Sequence, residues 1–70
     1  MNKIKELDSV VLLKDLPSHH LNRGDVGTVV EILDKNTFEI EFIDEKGQTS
    51  ALLPLSDADI IRLNLKLNPA

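Results

Sequence analysis

Side chains able to do chemistry are few in this chain, and their spacing is poor for catalysis. The only imidazoles are the adjacent pair His19-His20, with Asp15 and Asp25 near them in sequence. Two histidines and a carboxylate are a common ligand set for a transition metal. Neighbouring residues of an extended segment point to opposite sides, however, so both rings rarely reach one ion. An exposed polar loop is the expected state of the pair, and no metal and no cofactor is expected. Hydrolysis by a serine nucleophile needs a base beside it and a third group to orient that base. Ser9, Ser18, Ser50 and Ser56 lie in strand-like or turn-like sequence with no nucleophile elbow around them. Carboxylates are plentiful, but nothing predicts a pocket that would raise the pKa of one. The chain is therefore not expected to be an enzyme.

The segment Arg23-Gly24-Asp25-Val26-Gly27 resembles a phosphate loop only at first sight. It lacks the full glycine spacing, and no helix follows to offer its N-terminus to an anion. Gly24, Asp25 and Gly27 are expected to build a structural turn or bulge that launches a strand, with Asp25 capping backbone N–H groups.

Two other sets are candidates for partner binding. Glu31, Glu39 and Glu41 fall on the polar phase of two adjacent strand-like segments. With the apolar residues turned inward, Glu31 and Glu41 project from one outer face. Like charges close together across strands are mildly destabilising, and a basic partner surface would relieve them. Leu65 and Leu67 lie beyond the length a barrel strand needs. They are expected either to pack over the end of the domain or to pair with another chain, which makes a homo-oligomer through the last strand conceivable.

The elements that must position these residues are strands. Val10-Val11-Leu12-Leu13 is an apolar run that reads as a first strand over 8–13. The polar stretch 14–23 is a long excursion, anchored by Leu16 and Leu21. A second strand spans 26–33. Asp34-Lys35-Asn36 is a turn. Residues 37–43 alternate, with Phe38, Ile40 and Phe42 on one side and Thr37, Glu39 and Glu41 on the other, as in a sheet with one dry face. Asp44-Glu45-Lys46-Gly47 is a hairpin turn. A fourth strand runs over 49–53 and stops at Pro54. Residues 55–59 form a short 3₁₀-like turn capped by Ser56. A fifth strand starts at Ile60 and runs to Leu65 or Leu67. The expected core is Val10, Leu12, Val26, Val30, Ile32, Phe38, Ile40, Phe42, Leu52 and Ile61.

This order predicts an all-β domain, a small five-stranded barrel of the Src-homology-3-like (SH3-like) kind with one 3₁₀ turn before the last strand. Seventy residues form a single domain, 1–70, with a core region of about 6–63 and a tail or strand extension over 64–70. A chain of this size buries only about 60% of the surface its unfolded form exposes and has little room for a deep cavity. Cysteine is absent, so neither disulfides nor thiolate sites form. No signal peptide and no membrane-spanning run is visible, and a cytoplasmic location is expected. The net charge of −4 and the lack of Trp and Tyr, with only Phe38 and Phe42 as aromatics, count against base stacking and phosphate neutralisation. They also count against the aromatic grooves that take proline-rich peptides.

Glu6-Leu7-Asp8-Ser9-Val10-Val11-Leu12, then Asp15-Leu16-Pro17, Arg23-Gly24-Asp25-Val26-Gly27-Thr28-Val29-Val30 and Phe38-Glu39-Ile40-Glu41-Phe42 follow one another in order. With the closing Leu55-Ser56-Asp57-Ala58-Asp59, this series resembles a family of small bacterial domains of unknown function, over about residues 6 to 63. The resemblance implies an SH3-like fold and no established activity. The tail Asn64-Leu65-Lys66-Leu67 departs from a minimal member.

The reading that follows is a non-enzymatic protein–protein interaction module whose partner is another protein, with a basic surface. A toxin-neutralising or accessory-subunit role is compatible with it by analogy. The alternative is a nucleic-acid-associated barrel of the ribosomal or transcription-factor kind. It would rely on Lys14, Arg23, Lys35 and Lys46 near the loops, against the sign of the net charge.

Overall fold

The computed structural model describes residues 3–63. Five antiparallel strands form one sheet in the order β4-β3-β2-β1-β5: β1 is Ser9–Leu12, β2 Val26–Asp34, β3 Thr37–Ile43, β4 Thr49–Ser56 and β5 Ile60–Arg62. The chain is all-β, with one short 3₁₀ turn at Pro17–His19. The third strand has the expected limits because its period-two alternation is uninterrupted.

The 3₁₀ turn lies in the long loop between β1 and β2, not before the last strand as expected. Pro17 occupies its first turn, where the missing N–H and the fixed φ are no handicap. Leu16 and Leu21 bridge across the loop, and Leu21 is buried, so both act as the anchors their apolar character suggested. Before β5 the chain makes a plain turn, closed by the Asp59 N–H donating to the Ser56 carbonyl at 3.0 Å. Ser56 Oγ accepts from the Ala58 N–H at 3.2 Å.

The fourth strand does not stop at Pro54. It continues to Ser56, with Pro54 opposite Glu39. Being at the edge of the sheet, β4 tolerates a residue that cannot donate to a ladder. β5 covers Ile60–Arg62, and the extension expected through Leu65 or Leu67 lies outside the described residues.

Half of the expected core is correct. Val10, Leu12, Phe38, Ile40 and Phe42 are buried, whereas Val26, Val30, Ile32, Leu52 and Ile61 are each 40–55% exposed. Val29, Leu53, Leu55, Ile60 and Leu21 take their places. Where two apolar residues adjoin, alternation alone does not choose the inward one, and a one-residue slip exchanges the faces. Pairing decides it. Ile40 faces Leu53, Phe38 faces Leu55, and Leu12 faces Ile60, so Leu52 and Ile61 turn outward. In β2 the inward residues are Gly27 and Val29, opposite Phe42 and Ile40. The ladder then slips between Val29 and Glu31, a bulge that leaves Val30 as the extra residue.

Gly27 is the packing key. A Cβ there would sit 2.6 Å from Ile40 Cγ2, 2.9 Å from Phe42 Cε2 and 3.0 Å from the Glu41 carbonyl oxygen. The expectation of a turn glycine is correct for Gly24, at φ +97°, but not for Gly27, which is needed for close approach.

Val10, Leu12, Val29 and Ile40 have no exposed surface. Sheet is the main regular structure available to cover them, so it curls with this face inward. Partly buried Ile4, Leu16 and Ala51 complete the cover. The other face is convex.

Candidate acidic and apolar docking face

The outward residues of each strand follow from the ladder registers. In β1, β2 and β5, Val11 lies between Val26 and Ile61. Since Gly27 pairs with Phe42, the outward neighbour of Val26 on β3 is Ile43. One line thus crosses four strands as Ile43, Val26, Val11 and Ile61. Val11 is half-buried, and Ile43, Val26 and Ile61 are 51–54% exposed. The next line holds Leu52, Glu41, Thr28 and Ser9, and the one after it Pro54, Glu39 and Glu31.

Glu31 and Glu39 are direct cross-strand partners, a juxtaposition that costs stability between like charges. Glu41 sits one outward position along β3 and accepts a hydrogen bond from Thr49 Oγ1 at 2.5 Å. All three suggested glutamates therefore stand on one convex face. The outward strand positions carry no lysine or arginine. Among the described residues the ion pairs lie elsewhere. Lys14 Nζ meets Asp59 at 3.2 Å, and Arg62 Nε meets Asp8 at 3.2 Å.

The other groups singled out by the sequence do not assemble into a chemical site. His19 and His20 are exposed in the long loop. His20 adopts the left-handed region at φ 57° and closes the 3₁₀ turn through its N–H. Asp15 accepts from the Arg23 N–H and Asp25 from the Asn22 N–H, both at 2.8 Å. The two aspartates thus order the loop backbone, as expected for Asp25. Among the described residues no group of His, Asp or Glu is placed to hold a metal ion. No buried side-chain polar atom among them lacks a partner. Leu65 and Leu67 lie outside the described residues.

One surface pocket of about 220 Å³ is lined by Lys3, Ile4, Ile32, Lys35, Phe38 and Asp57. It explains why Ile32, although paired with Phe38, remains half exposed. Its volume falls below the several hundred cubic ångströms usual for ligand sites. No helix of the described residues is long and apolar enough to cross a membrane.

Sequence reasoning found the carboxylates and missed the apolar line beside them. The signal was present in β3. Thr37, Glu39 and Glu41 set the polar phase, and Ile43 continues it as an isoleucine. Ile61 was hidden by its neighbour Ile60, and Val26 by its even spacing with Val30 and Ile32, which the bulge after Val29 breaks.

The profile of the family described as Domain of unknown function (DUF4926) matches residues 6–62. No curated protein and no solved structure matches the chain.

Proposed function

We propose that this chain, which belongs to the family described as Domain of unknown function (DUF4926), is a non-enzymatic protein–protein interaction module that binds a basic surface of another protein. The observation that carries this reading is the convex face. It combines Glu31, Glu39 and Glu41, without a cation among the outward strand positions, with exposed Val26, Ile43 and Ile61. Solvent-exposed apolar residues rimmed by charge mark interaction surfaces, and complementary charge directs the choice of partner. On this reading the sheet belongs to an SH3-like barrel, which the strand order β4-β3-β2-β1-β5 and the long β1–β2 loop favour. The cysteine-free composition suits a reducing bacterial cytoplasm. An accessory or toxin-neutralising subunit is the corresponding biological role.

The test is affinity capture from native lysate with the wild-type protein and with Glu39→Lys/Glu41→Lys, each with and without nuclease. A stoichiometric protein that survives nuclease and is lost with the variant is the expected result. Equal capture by the variant sinks the acidic face. Recovery that vanishes with nuclease replaces this reading by the nucleic-acid-associated one.

A further inference from the structure

The occupant of this face is constrained by where its backbone must find hydrogen bonds. The face of a sheet offers side chains and no free N–H or C=O groups. An extended segment laid on it would leave its own backbone unpaired, so the occupant must satisfy its backbone internally. The sheet edges are poorer sites. β4 carries Pro54, which cannot donate, and the described part of β5 is three residues long.

Spacing along the β2–β3 pair is regular. The apolar pair Ile43 and Val26 lies at one end, Glu41 with Thr28 comes next, and the Glu39–Glu31 pair follows. Successive outward positions of a strand are about 6.7 Å apart. Residues four apart on a helix rise about 6 Å, so one side chain per turn keeps step with one outward position per strand.

We propose, resting on the reading above, that β2–β3 docks an amphipathic basic helix of the partner protein. Apolar residues of its first turn or two would sit on Val26 and Ile43, flanked by Val11 and Ile61. A lysine or arginine on each of the next two turns would meet Glu41 and then the Glu39–Glu31 pair. Charge selects this occupant over a second copy of the chain, because the face repeated on itself opposes carboxylates without bringing a cation from its outward strand positions.

The experiment is a titration of ¹⁵N-labelled full-length protein with three synthetic peptides of identical alanine, leucine and arginine composition, followed by amide shifts. One peptide, about four turns long, has leucines on its first turns and arginines on the later turns of the same face. The second alternates polar and apolar residues as a strand would, and the third is scrambled. The expected result is that the helical peptide binds at least about tenfold more tightly than the other two, a difference of about 1.4 kcal/mol. It should gain helicity on binding, perturb Val26, Thr28, Glu41 and Ile43, and lose affinity with Glu39→Lys/Glu41→Lys. Equal binding by the scrambled peptide, preference for the alternating one, or no binding by any of the three overturns the helix. None of these results touches the capture experiment, which tests the parent reading separately. Dimerisation of the protein alone, reversed by Val26→Asp, overturns the proposal in favour of a second copy.

Discussion

The two faces of one sheet differ sharply in burial. The inner face holds Val10, Leu12, Val29, Ile40 and Phe42, almost free of solvent. The outer face, built from alternate residues of the same strands, leaves Val26, Ile43, Leu52 and Ile61 about half exposed beside three glutamates. Stability comes from the first face because apolar area removed from water is worth about 25 cal/mol per Å². The second leaves about half of its apolar area in water and sets like charges side by side, so it contributes less to the fold.

The largest expected effect belongs to the inner face. Ile40→Ala removes a fully buried side chain at the centre of the ladder and should cost about 2–5 kcal/mol, measured by urea denaturation. In a domain this small that approaches the whole stability. A loss below about 1 kcal/mol would show that the core is not where the registers put it.

Gly27→Ala adds a single methyl group against Ile40, Phe42 and the Glu41 carbonyl. Overpacking of this kind costs about 1–3 kcal/mol. Gly24→Ala is the matched control, since nothing lies within 4 Å and only the positive φ opposes it. Its cost should be about 1–2 kcal/mol. A Gly27→Ala loss below about 0.5 kcal/mol in thermal unfolding would contradict its close-approach role.

Outer-face changes should be small and of mixed sign. Val26→Ser and Ile61→Ser are expected to stay within about 0.5 kcal/mol of wild type, as exposed substitutions do. A loss above about 1.5 kcal/mol in either would mean that the apolar line is structural. Glu39→Lys converts the repulsive pair with Glu31 into an attractive one and should raise stability by a few tenths of a kcal/mol. That gain should shrink as salt is added.

A comparably small effect is expected at the exposed ion pair. Lys14→Ala breaks the contact with Asp59 and should change stability by less than about 1 kcal/mol. A larger loss would place part of the fold's stability at the β4–β5 turn, outside both faces.

Much of the architecture was legible because alternation and turn chemistry are local. Phe38, Ile40 and Phe42 announced β3 and its inward side. Asp34 and Asp44 marked the hairpins, where their Oδ1 atoms accept from Asn36, and from Lys46 and Gln48. Glu39 and Glu41 were legible for the same reason, whereas Glu31 faces outward only because the bulge after Val29 resets the phase of β2. The apolar half of that face was not, because Leu52-Leu53, Ile60-Ile61 and the Val26 to Val30 stretch contain apolar residues in both phases. Leu7 gave no signal either. It is 80% exposed at φ 72°, in a backbone region a leucine rarely adopts.

Local patterning was enough for five strands, both hairpin turns, an all-β class and a surplus of acid with few groups able to do chemistry. Which neighbour of each apolar pair faces inward was set by three non-local constraints. The ladder partners set the phase of β4 and β5. The absent side chain at Gly27 let Ile40 and Phe42 close over β2. The bulge at Val30 then shifted the phase so that Glu31 came to stand opposite Glu39. A strand's period is a property of its own residues, whereas its phase depends on what lies across the ladder.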